Sequence, residues 1–323
     1  MSSVPAPKPF NPWSRSRPLA QSGDEDALTV VQLQYIGIDG HRHTTTAKAD
    51  KKGELCCLLC LPCCVGKCSE ANQQQYRTCT MSFTFVLACI QAILFIASLG
   101  VSEGFAPPSI NPLLGPCPRA LLLLGGMNAA LIVHSIELHR LILPVFLHAG
   151  VIHIFLNVFA ELRFGLYIER RIGIWRVALL YALGTVGGCL LSAVMTAPTV
   201  SVGASSALMA LMGAHLSETV CKWHATNPLE RKVTLVQVVA WIALTLALSA
   251  LPFVDAGAHI GGLLTGVLCG VALFVHESRW PRPNVILGVS VALLVGYFVA
   301  MFLVLFLAKD VGQAPSAAQL AAC

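Results

Sequence analysis

Ser205 and Ser206 stand side by side in the stretch TVSVGASSALMALMGAHL, residues 199–216. A serine hydroxyl is a poor nucleophile until a base takes its proton. His259, four residues after Asp255 in DAGAHIGGLLTGVLCG, is of the type that can serve as that base and later return the proton to a leaving amine. His148, His153 and Asn157 occur together in HAGVIHIFLN, and His153 and Asn157, at i and i+4, share one helix face. Side-chain donors of that kind suit a developing oxyanion, as do the backbone N–H groups and the dipole at a helix start. The chemistry these residue types allow is acyl transfer by a serine–histidine pair. Asp255 could orient His259 as a third member, but at the entrance of a helix it can equally be a cap, and we leave it out of the pair.

Each residue also has a plainer reading. Ser205 alone could be a helix N-cap, and His259 alone a packed interhelical donor. His153 and Asn157 could cross-link helices by hydrogen bonds. Glu161, one turn beyond Asn157 on the same face, is expected to pair with an arginine, and His215 and Cys189 are expected to be structural. What these readings leave unexplained is why four residues of catalytic type fall at one depth.

That depth is set by the elements that carry them. The chain has 323 residues, 56% hydrophobic and 11% charged, against about 25% charged in an ordinary soluble domain. A spanning helix needs ~20 mostly apolar residues. Candidate spans fall at 82–101, 141–166, 173–195, 203–221, 234–253, 257–276 and 285–308. The fold class is therefore all-α, a polytopic membrane bundle. With the N-terminus in the cytosol, 18 of the 21 Lys and Arg lie on the cytosolic side; only Arg119, Arg140 and Lys309 do not. The net charge of +5 then reflects topology rather than nucleic-acid binding. Spans two, four and six run from the exterior inward, and the polar stretches occupy their exterior halves. Gly262 and Gly266 share the His259 face, and small residues such as Gly203 and Ala207 answer them on span four, so spans four and six can approach closely.

Outside the spans, residues 1–80 form a cytosolic tail, its first 55 residues polar, proline-containing and expected to be mostly disordered. It ends in a juxtamembrane cluster that includes Cys56, Cys57, Cys60, Cys63 and Cys64. Reversible acylation of cysteines beside a basic stretch is the preferred reading. The paired cysteines and interspersed leucines fit a closed zinc site poorly, and no metal or other cofactor is expected. Residues 81–308 form the membrane domain and 309–323 a short exterior tail. The long first loop, 102–140, is apolar in its second half and too broken to span; it could lie in the interface as short amphipathic helices.

In these residues the chain resembles the rhomboid family of intramembrane serine proteases. The matching pieces are Gly203-Ala204-Ser205, Ala258-His259 with Gly262 and Gly266, and His148, His153 and Asn157. Glu169-Arg170-Arg171 with Gly173, and GGMNAALI at 125–132, match as well. The resemblance covers about 120 to 308. It implies a Ser205–His259 dyad, an oxyanion hole around His153 and Asn157, and a six-helix core. A seventh helix after the histidine is similar to the eukaryotic secretory-pathway members, which implies the secretory pathway or plasma membrane. Three positions depart from the family pattern: Ser206 stands where it usually has glycine, His139-Arg140 where it has Trp-Arg, and Asp255-Ala256-Gly257 precede His259. On an ideal wheel Ser206 lies nearer the small-residue seam, so it is the runner-up nucleophile.

The implied function is endoproteolysis of single-span membrane proteins near the exterior end of their helix, with the lipid bilayer as the other partner. The alternative is a catalytically silent relative that binds membrane clients, which has no need to retain both Ser205 and His259. A transporter would show inverted repeats, and none is visible. Other intramembrane proteases would need H-E-x-x-H or paired aspartates within spans; His276-Glu277 continues as Ser-Arg-Trp.

Overall fold

In the computed structural model, residues 29–36, 42–49, 82–195, 200–251 and 254–307 are described. Two units make up the chain, Met1–Met81 and Ser82–Cys323. In the first, β1 (Thr29–Ile36) pairs antiparallel with β2 (Arg42–Ala49), Thr29 opposite Ala49 and Ile36 opposite Arg42. The tail was expected to lack regular structure. TVVQLQYI and RHTTTAKA are rich enough in β-branched residues to form strands despite the polar composition around them. The cysteine cluster at 56–64 lies outside the described residues.

The second unit is the helical membrane bundle. Its helices are α1 (Phe83–Val101), α2 (Pro118–Leu123), α3 (Ala129–His134), α4 (Val151–Ala160), α5 (Leu166–Ile172) and α6 (Ile174–Met195). They continue with α7 (Ser205–Cys221), α8 (Pro228–Leu248), α9 (Ala256–Phe274) and α10 (Pro283–Leu307). A π-helical turn, Glu161–Gly165, joins α4 to α5 into one 22-residue crossing. Six crossings of the described residues are long and apolar enough to span a bilayer. The remaining helix of the expected seven, α7, is only 17 residues, ~26 Å at 1.5 Å per residue, short of a ~30 Å hydrocarbon layer. It can be short because it is enclosed: 14 of its residues are buried. By contrast α8 buries only Val238 and Ile242, and α10 only Ser290 and Leu305.

Two expected spans are displaced, the second running over 151–172 rather than 141–166, and their starts move for local reasons. The second crossing begins at Val151, not 141, because residues 138–146 form two short 3₁₀ turns around Pro144. Gly150, just before the helix, sits so close to Leu113 that a Cβ would overlap its carbonyl. The fifth crossing runs over 228–248 rather than 234–253. Asn227 accepts the Leu229 N–H at 2.9 Å and Pro228 takes the first helical position, so capping starts the helix before hydropathy does.

The first loop is packed on protein. Met127, Ala129, Ile132 and Leu141 form one apolar cluster with Cys189, Leu190 and Ala193 of α6 and Leu305 of α10. Buried Arg140 gives this loop its shape, donating to the carbonyls of Leu122 (2.7 Å) and Gly126 (2.8 Å) and pairing with Glu137 at 2.7 Å.

Candidate active site

Helices α7 and α9 pack parallel, and glycine sets their separation. A Cβ on Gly262 would overlap the Ser206 carbonyl, one on Gly266 the Ala210 carbonyl, and one on Gly270 would lie 2.6 Å from Ala214 Cα. The contacts advance four residues on both helices at each step, so the backbones touch along a straight seam. His259 precedes Gly262 by three residues and Ser205 precedes Ser206 by one. Both therefore sit at the same end of the seam, on the first turns of their helices.

The segment leading into Ser205 is held from both sides. Met127 and Ser201 exchange backbone hydrogen bonds at 2.9 and 3.0 Å, and the Gly203 N–H donates to the Pro144 carbonyl at 2.9 Å. Gly203 has φ +130°, a conformation that glycine adopts without strain. The His153 ring lies against it, so a Cβ there would be 2.8 Å from Nε2. These clamps come from the first loop and the 3₁₀ turn that follows it, which the sequence did not tie to the serine; the loop's only signal was the GGMNAALI match.

Of the two serines, Ser206 is the buried one. A Cβ on Gly188 of α6 would meet both Ser206 Cβ, at 2.5 Å, and the Ala258 carbonyl, at 2.6 Å. The residue standing where the family usually has glycine is thus accommodated by a glycine opposite it. Ser205 is half-exposed, and its Oγ makes no hydrogen bond to a described residue. Catalytic hydrogen bonds often tighten only when substrate is bound.

The polar partners are arranged around this point. The Ala149 N–H donates to His153 Nδ1 at 3.3 Å. That nitrogen is therefore the bare one, and Nε2, the atom facing Gly203, carries the proton. Asn157 Nδ2 donates to the His153 carbonyl at 2.8 Å, which holds the amide on the same helix face with a second N–H to offer. His148 is fully buried, its ring 5.4 Å from that of His153. His259 Nδ1 lies 2.6 Å from Ser249 Oγ, a partner the sequence did not suggest. Asp255 is a cap: one carboxylate oxygen accepts the Ala258 N–H at 2.9 Å and the other the Ser192 hydroxyl.

At the other end of the bundle, Glu169 accepts from Phe83 N (2.9 Å), Thr84 N (3.0 Å) and Thr84 Oγ1 (2.7 Å), capping α1. Arg171 pairs with Glu218 at 2.6 Å. Among the described residues Glu161 has no arginine partner, contrary to expectation. It is fully buried with neither carboxyl oxygen hydrogen-bonded, because the π-helical turn keeps it inside the bundle while Arg163 reaches Gln237.

The Rhomboid domain profile matches residues 135–276, which contain every one of these histidines and both serines. RHOMBOID-like protein 6, mitochondrial, of Arabidopsis thaliana is 41% identical over 186 residues, 57% of this chain and 60% of that protein. Rhomboid-like protease 2 of Toxoplasma gondii is 32% identical over 201 residues, 62% of this chain and 67% of that protein. Inactive RHOMBOID-like protein 8 of Arabidopsis thaliana is 28% identical over 212 residues, 60% of this chain and 59% of that protein. The chain spans 42–60% of the length of five other Arabidopsis relatives, RHOMBOID-like protein 6 among them. The match to the Toxoplasma gondii protein over two thirds of its length, together with the domain match that takes in α7 and α9, shows that this multi-pass membrane protein belongs to the rhomboid family.

Proposed function

We propose that this protein is an intramembrane serine endopeptidase that cuts single-span membrane proteins near the exterior end of their transmembrane helix. The observation that carries the reading is the α7–α9 seam, which sets Ser205 and His259 on adjacent first turns. In the reaction, His259 Nε2 takes the Ser205 proton as Oγ attacks the scissile carbonyl. The electron pair displaced onto the carbonyl oxygen is met by the His153 Nε2–H and the Asn157 amide. Collapse of the tetrahedral intermediate breaks the C–N bond, and the histidine returns its proton to the leaving amine. Water then repeats the sequence on the acyl-enzyme and frees Ser205.

Substrates follow from the same chemistry. A helical peptide has its carbonyls tied in i to i−4 bonds, and unwinding in lipid costs several kcal/mol for each exposed backbone group. A helix with Gly or Pro near its exterior end starts with part of that cost removed. The orientation that puts the site outside is the one that leaves most Lys and Arg in the cytosol.

The test is fluorophosphonate labelling of the full-length protein, with the modified peptide mapped, alongside cleavage of a single-span reporter. Label on Ser205, with Ser205→Ala losing cleavage by roughly 10⁴-fold or more while Ser206→Ala still cuts, is the expected result. Label and loss at Ser206 would move the nucleophile. Neither would favour the client-binding alternative, which the inactive relative keeps in view.

A further inference from the structure

We infer that Ser249 is a positioning residue for the proposed dyad, fixing which nitrogen of His259 carries the proton. Ser249 closes the C-terminal end of α8, ten residues before His259 and on a different helix. Its hydroxyl makes two contacts, one with the Thr245 carbonyl at 2.9 Å and one with His259 Nδ1 at 2.6 Å. A hydroxyl has one proton to give and lone pairs to receive with. The Thr245 carbonyl can only accept, so that contact is a hydrogen bond only if the Ser249 proton lies in it. The contact with His259 is then filled by Nδ1–H donating to Ser249 Oγ. The reverse arrangement would set two oxygens 2.9 Å apart with no proton between them.

With Nδ1 protonated, Nε2 is the bare nitrogen, the form a general base requires. In hydrolases with a Ser-His-Asp triad a buried carboxylate imposes this tautomer. The carboxylate nearest in sequence to His259 here is Asp255, and both of its oxygens are committed, to the Ala258 N–H and the Ser192 hydroxyl. A neutral hydroxyl in the triad position holds the ring through a weaker bond than a carboxylate would. It also ties the end of α8 to the base on α9. The two site histidines are thus set oppositely: a backbone N–H leaves His153 a donor at Nε2, and a hydroxyl leaves His259 an acceptor at Nε2.

The inference rests on the dyad reading, and one set of variants separates the two. Ser249→Thr keeps the hydroxyl; Ser249→Val has nearly the same shape without it; Ser249→Ala removes both. Full-length proteins in proteoliposomes are compared for fluorophosphonate labelling rate, for kcat and KM on a single-span reporter, and for melting temperature. Ser249→Val and Ser249→Ala are expected to lower both labelling rate and kcat about tenfold, the scale of one neutral hydrogen bond, with KM and melting temperature little changed. Ser249→Thr should restore most of the rate. Equal labelling by the Thr and Val variants, or a change confined to KM or melting temperature, overturns the assignment. If His259→Ala is dead and Ser249→Ala is normal, only this inference fails; if His259→Ala labels like the parent, the dyad reading fails with it.

Discussion

Around the N-terminal ends of α4, α7 and α9, polar side chains keep hydrogen-bonding capacity in hand. His148 is fully buried with neither ring nitrogen bonded to a described residue, Ser205 Oγ likewise meets none, and Asn157 uses one N–H on its own helix. At the opposite end the charges answer one another. Glu218, almost wholly buried, receives Arg171 at 2.6 Å and Lys222 at 2.9 Å, and Lys222 also reaches Glu277 at 2.9 Å. Glu169 is filled by three donors. Buried polar groups normally find partners because leaving them unpaired costs about 1–3 kcal/mol each. The charged end is not fully satisfied either, since Arg170 Nη2, His215 Nδ1, Glu218 Oε2 and Arg231 Nε find no hydrogen-bond partner among the described residues. What separates the two ends is charge: largely neutral donors and acceptors where a substrate would be received, and ion pairs that join helices at the other. The two ends should therefore fail differently when mutated.

The sharpest contrast is expected at the two proposed oxyanion donors. His153→Ala or Asn157→Ala should reduce cleavage by roughly 10²–10³-fold, the usual effect of losing one such donor, with the melting temperature nearly unchanged. The double variant should fall short of the product of the two, because both donors serve one charge. A normal cleavage rate in the double variant would make this end structural too, and the comparison would collapse.

A smaller and graded effect is expected along the seam. Gly262→Ala and Gly266→Ala each place a methyl against a backbone carbonyl of α7. Overpacking of this kind costs about 1–3 kcal/mol, so both should melt earlier by similar amounts. Gly262 lies one turn from His259, and a displacement near a reacting pair can cost ~10²-fold in rate. Turnover should fall that far for Gly262→Ala and less for Gly266→Ala, measured on the same reporter. Equal losses of turnover would mean that α9 shifts as a rigid rod.

How much of this was legible beforehand depends on how local its cause is. The crossings were visible because hydropathy is carried by each residue in turn, and Ser205, His259, His153 and Asn157 because short motifs hold them. The tautomers were not, because they depend on Ala149 and Ser249, and Ser249 reaches His259 from another helix across a turn. Asp255 was ambiguous in sequence because a cap and a triad acid occupy the same position; only its contacts with Ala258 and Ser192 decide. Glu161 misled because an acid four residues from Asn157 suggests an outward arginine, whereas the π-helical turn keeps it inside. The first loop looked interfacial because its helices are short; its packing on α6 and α10 involves partners 48 or more residues away.

The smallest effect on turnover, and the largest on stability, is expected at Glu218. Its carboxylate is 3% exposed and is shared by Arg171 and Lys222, with His215 Nδ1 at 3.6 Å. The bonds join α5 to α7, and Lys222 carries the connection on to Glu277 after α9. Glu218→Gln keeps the shape but removes the charge, leaving Arg171, only 20% exposed at its side chain, without its anion. Breaking one partner of a buried pair costs about 3–5 kcal/mol, and the variant should melt well below the parent. Lys222 retains Glu277, so the cost should be less than if both cations were stranded. None of these groups touches Ser205 or His259, so kcat per folded molecule, calibrated by fluorophosphonate labelling, should match the parent at a temperature where both are folded. A Glu218→Gln protein with unchanged melting and depressed kcat would show that the charged end communicates with the serine, and the division of labour between the two ends would have to be abandoned.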